Sequence, residues 1–132
     1  MKYLTLLFIA LVVACSPSKE NELKTLKDEV MAIHDEVMPK IGDLRKVRME
    51  LESLSDSLMA TDSTRAMELS SLAADISDAS EGMMVWMRNY EPEFEGTEEE
   101  IKAYLEGQKV SIQKVKEDML ESMESGAKAL GQ

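Results

Sequence analysis

Leu69-Ser70-Ser71-Leu72-Ala73-Ala74-Asp75-Ile76-Ser77-Asp78-Ala79-Ser80-Glu81-Gly82-Met83-Met84-Val85-Trp86-Met87-Arg88-Asn89-Tyr90 is the stretch whose pattern decides the fold. Its residues Leu69, Leu72, Ile76, Ala79, Met83, Trp86 and Tyr90 recur at alternating steps of three and four. That spacing gathers them on one stripe of an α-helix and would scatter them over both faces of a strand. Upstream, residues 60–63 read as a turn with Asp62 or Ser63 as the cap. Downstream, Glu91-Pro92-Glu93-Phe94-Glu95-Gly96 is an acidic loop whose proline and glycine forbid continuation.

Further helices follow on either side. Thr97 and Glu100 make a Thr-x-x-Glu capping box, in which each side chain satisfies a free backbone amide. From there Ile101, Leu105, Gln108, Ile112, Val115, Met119 and Ser122 form an inner stripe, with Tyr104 and Met123 beside it, fading at Gly126 and Gly131. Toward the amino end, Leu23, Leu26, Val30, Ile33 and Val37 begin a stripe that continues as Ile41, Leu44, Val47, Leu51, Leu54 and Leu58. The steps Ile33 to Val37 to Ile41 are four and four, so the register slips beside Pro39 and Gly42. Proline removes one backbone bond and clashes with the preceding turn, so the first helix is expected to kink or break near Pro39. Amphipathic helices on short connections bury their stripes against one another. The expected fold is all-α, an elongated, coiled-coil-like antiparallel three-helix bundle over residues 22–130. An unbroken first helix of about 40 residues would span about 60 Å.

The amino end is of another kind. Met1-Lys2-Tyr3 is followed by an apolar run from Leu4 to Val13, then Ala14 and Cys15. That order is a secretory signal, and the run is about half of the roughly 20 residues that a bilayer crossing needs. Val12-Val13-Ala14-Cys15 resembles the lipobox of bacterial lipoproteins. The resemblance implies cleavage after Ala14, diacylglycerol on the Cys15 thiol, and a further acyl chain such as palmitate on the new amino end. It divides the chain into a signal peptide (1–14), a lipidated end and polar tether (15–21), and the helical domain. One acyl chain binds membranes marginally and two or more hold firmly. Ser16, where an aspartate would retain the protein at the inner membrane, implies the outer membrane of the cell envelope by that class's sorting rule. Which membrane face the protein occupies stays open.

Composition narrows the function. The full chain carries a formal charge of −11 from 15 basic and 26 acidic residues. Loss of Lys2 with the signal leaves 14 bases against 26 acids, or −12. Such a surface repels nucleic acid and anionic lipid headgroups. Cys15 is the only cysteine, so disulfides cannot hold the fold together. The carboxylates spread over solvent faces, and no nucleophile elbow, Gly-rich phosphate loop or Glu-x-x-His di-iron motif occurs. A noncatalytic protein is expected.

One constellation departs from that picture. His34, the only histidine, shares a helix face with Met31 and Met38. In an antiparallel hairpin turning near residue 60, it falls opposite Met87, with Met38 opposite Met83 and Tyr104 in the same layer. Sulfur ligands select Cu(I) and imidazole tolerates it. A ligand set of His34, Met38, Met83 and Met87 is similar in residue types to that of periplasmic copper chaperones, whose β-barrel fold differs. A His and Met pair can also bind haem axially within a helical bundle. Against this, methionine commonly fills irregular gaps between helices, and a lone histidine near an apolar stripe is commonly a hydrogen-bonded core residue, here with Glu36 or Tyr104. The stretches His34–Pro39 and Met83–Met87 look like those of small uncharacterised helical envelope lipoproteins, which implies a fold and no activity. The expected role is a membrane-anchored scaffold or partner-binding bundle without a cofactor; the alternative is a Cu(I)- or haem-binding protein.

Overall fold

A computed structural model describes residues 18–132, so the signal-like run and Cys15 lie outside the described residues. All regular elements among them are helices: α1 (Lys19–Val37), a 3₁₀ turn (Met38–Lys40), α2 (Ile41–Leu58), α3 (Ser63–Asn89) and α4 (Glu98–Ala129). None of these helices is long and apolar enough to cross a membrane.

The helix boundaries follow side-chain chemistry. Ser18 caps α1, its Oγ accepting from Asn21 N–H at 3.4 Å, so the helix begins at Lys19, earlier than the polar tether expected up to Asn21. Of the two candidate caps before α3 it is Asp62 that serves, accepting from Arg65 N–H at 3.0 Å. The Thr97–Glu100 capping box forms in both directions, Thr97 N–H to Glu100 Oε2 at 2.8 Å and Glu100 N–H to Thr97 Oγ1 at 3.3 Å. At Pro39 the missing N–H ends the α-helical ladder, and Met38–Lys40 tighten into a 3₁₀ turn before α2 resumes.

The core is three ladders of seven-residue steps. Val30, Val37, Leu44 and Leu51 form one, Leu69, Ile76 and Met83 a second, and Leu105, Ile112, Met119 and Gly126 a third, all buried. The first ladder runs without fault past Pro39. The slip read from Ile33, Val37 and Ile41 arises because Ile33 and Ile41 are only partly buried flanks, while Val37 alone belongs to the ladder. Nor does α4 fade at Gly126. Glycine is required there, since a Cβ would lie 2.8 Å from Val47 Cγ1, 2.9 Å from Ile76 Cδ1 and 3.0 Å from Leu51 Cδ1.

Partners change along the first helical stretch. α1 lies mainly against α4, α2 lies mainly against α3 and also touches α4, and α3 packs on α4. Ion pairs mark how α1 meets α4: Glu22 with Lys102, Glu29 with Lys109 at 2.8 Å, and Glu36 with Lys116 at 2.6 Å. Each pair advances seven residues on both helices, so the two run in the same direction at one fixed register.

Candidate functional site

Small and large residues divide α3 into two halves. Ala66 and Ala73 are buried toward its start, where α2 comes close and buried Ser55 donates from Oγ to the Ala66 carbonyl at 2.8 Å. Toward its end the inward positions hold Trp86, which is buried in the core, and Tyr90, which packs against it. The result is a continuous row of rings. His34 lies 5.8 Å from Trp86 between ring centroids, Trp86 stacks on Tyr90 at 4.8 Å, Tyr90 on Tyr104 at 6.4 Å, and Tyr104 on Phe94 at 4.3 Å. Every aromatic side chain among the described residues belongs to it.

Two polar atoms in the row are buried without a hydrogen-bond partner, Trp86 Nε1 and Tyr90 Oη. Burial holds the Tyr90 phenol above its usual pKa, with the Lys27 ammonium pulling the other way. Lys27 itself is raised, chiefly by its 2.8 Å hydrogen bond to Glu93, whose carboxyl is lowered by the same bond. Tyr104 is satisfied, its Oη accepting from Glu91 N–H at 2.7 Å. The layer geometry read from sequence is therefore adjusted in two places. It is Trp86 that stands against His34, and Tyr104 lies farther along the row with Tyr90 and Phe94.

The proposed ligand residues sit in unlike surroundings. His34 is largely covered, with Nδ1 donating to Asp35 Oδ1 at 2.8 Å, so its partner is neither Glu36 nor Tyr104. Met38 is half-buried in the 3₁₀ turn, Met83 is fully enclosed in the core, and Met87 is 40 % exposed. Among the described residues no group of three or more His, Cys, Asp and Glu side chains stands ready to share a metal ion; thioethers fall outside that set.

A second feature is a surface that sequence periodicity did not single out. The outward side of α2 carries an open, shallow patch formed by that helix alone, with Gly42, Arg45, Met49, Ser53, Leu54 and Ser57 among its residues. Met49 is 52 % exposed and Leu54, expected in the inner stripe, is 36 % exposed on the outward side, and Met59 and Met67 are exposed around the following turn. The signal that could have found it is Met49, an apolar residue off the seven-step ladder of its own helix. Together these features define an all-helical packed domain with an aromatic seam at one end and an apolar outward face on α2. No protein-family model, curated protein or solved structure matches the chain.

Proposed function

We propose that this is a noncatalytic lipoprotein of the bacterial cell envelope, a helical bundle that serves as a scaffold or docks a protein partner through a helix face. The observation that carries the docking part is the outward apolar side of α2, where Met49 and Leu54 stand open to solvent side by side. Exposed methionines suit adaptable contacts because the thioether is flexible and polarisable. The bundle is read as three antiparallel layers, α1 and α2 together forming one bent layer with α3 and α4 as the others. Lipid on Cys15 is its membrane attachment, in the outer membrane, and holds an acidic body that anionic headgroups would repel. In intact cells the expected results are acyl chains on the mature amino end, an unlipidated precursor from Cys15→Ser, and crosslinks to another protein. Recovery of a non-acylated chain would overturn the anchor, and recovery only of an uncrosslinked monomer would overturn the docking role.

A second reading keeps His34 as a ligand of Cu(I) or haem with Met38, Met83 or Met87. The observation in its favour is the Asp35 carboxylate on Nδ1, the arrangement that orients many metal-binding imidazoles and leaves Nε2 free. Residues 16–132, assayed for bound haem and titrated with Cu(I), decide it. On this reading binding is tighter than about 1 µM and is abolished by exchanging Met83 and Met87 for leucine with helicity retained; weaker binding sinks it.

A further inference from the structure

The docking face of α2 has a charge order that selects its partner. Its first half carries Arg45, Lys46 and Arg48 against Asp43, and its second half carries Glu50, Glu52 and Asp56 with no base. Of these, Arg48 is engaged with Glu52 at 2.6 Å and Lys46 reaches Glu50 only at 4.0 Å. Arg45 and Asp56 are exposed, and neither has an ion-pair partner among the described residues. A helix that is basic in one half and acidic in the other is complementary to itself when turned end for end.

The relief of the same face fits close approach. Gly42, Ser53 and Ser57 leave it low, with Met49 standing between them. A Cβ at Gly42 would meet nothing within 4 Å, so nothing in the protein's own packing calls for a glycine there. Gly42 is the second residue of α2, in its first turn. Room for another backbone is a reason to keep it.

We propose that this face is the contact of a homodimer, in which α2 of one chain lies antiparallel on α2 of a second copy about a two-fold axis. Antiparallel apposition centred between Glu50 and Leu51 places Arg45 level with Asp56 of the second copy, and the symmetry repeats the pair on the other side. Met49 of each chain then seats beside the small residues of the other. Two-fold dimers through a self-complementary patch are the commonest homo-oligomers. This inference rests on the reading of α2 as a docking face and names its occupant.

Residues 18–132 contain every described helix and are the material for the test, by sedimentation over a range of concentration and salt. The expected result is a dimer that weakens as salt rises. Arg45→Asp and Asp56→Arg alone should each weaken it by about tenfold or more, and the two together in one chain should restore it. Gly42→Leu enters open space in its own chain and should keep full helicity while blocking the dimer. A wild-type chain that stays monomeric at all concentrations overturns the dimer, as does a dimer indifferent to all of these changes. In the first case crosslinking to a different protein in the envelope would still leave α2 as a docking face, so the two readings fail separately.

Discussion

Tyr90 and Tyr104 sit in the same row of rings, yet their hydroxyls meet different surroundings. Tyr104 Oη accepts the Glu91 N–H, whereas Tyr90 Oη is buried without a partner. A hydrogen bond contributes about 0.5–1.5 kcal/mol net, and the one to Tyr104 lies toward solvent, at the low end, while a buried group left unpaired is a cost. Tyr104→Phe should therefore destabilise by about 0.5 kcal/mol, and Tyr90→Phe should be neutral or stabilising; equal losses in urea unfolding would contradict the assignment. Glycine gives a similar contrast on α4. At Gly107 a Cβ meets nothing, and alanine should stabilise by up to about 1 kcal/mol through helix propensity alone. At Gly126 the same Cβ runs into Val47, Ile76 and Leu51, all buried, and overpacking of this kind costs about 1–3 kcal/mol. Opposite signs for the two alanine variants are the expected thermal-melting result. From sequence both glycines look like helix weakeners, because nothing local to residue 126 says that three side chains from α2 and α3 converge on it.

Among the elements, α4 has the best-defined start. Thr97→Ala should cost about 1 kcal/mol, the usual worth of a side-chain cap. Its partner adds a pH dependence. The Glu100 carboxyl is held below its usual pKa, first by the Thr97 backbone N–H and then by the Thr97 hydroxyl. A lowered carboxyl stabilises the fold above its unfolded pKa and loses that contribution as pH falls through the folded value. The stability gap between wild type and Glu100→Gln should be full at neutral pH and close on acidification; a gap that stays constant in acid would exclude the capping carboxylate as its source. This cap was legible in the sequence because a capping box is local, four residues long, and its chemistry needs no other helix. So were the helical class and the stripe of α3. The way α1 and α2 divide their partners was not, since a stripe records which side is buried and not which neighbour covers it. Likewise the candidate ligand residues could be placed in roughly one layer by counting from the turn. Counting along helix axes does not fix rotation about them, and so it did not reveal that the Trp86 ring stands against His34.

For the molecule as a whole, charge placement matters more than the sum. The acidic excess is spread over the surface, but along the α1–α4 seam it is ordered, glutamates at 22, 29 and 36 on one helix and lysines at 102, 109 and 116 on the other. Both helices run the same way, so a displacement of either by less than a heptad sets every charge out of step. Because α1 packs mainly on α4 while α2 packs mainly on α3, that seam is expected to loosen before the rest. Lys109→Glu with Lys116→Glu turns two attractions toward Glu29 and Glu36 into repulsions. Exposed pairs contribute about 0.2–1 kcal/mol each, so the double reversal should cost about 1–2 kcal/mol. Hydrogen exchange should then speed up along α1 and the facing part of α4, with amides of α2 and the first half of α3 still protected, as expected of separately opening units. Adding Glu29→Lys and Glu36→Lys should return protection to α1. Uniform acceleration through all four helices would mean instead that the bundle opens as one body and that the 3₁₀ turn at Pro39 does not separate α1 from α2 energetically.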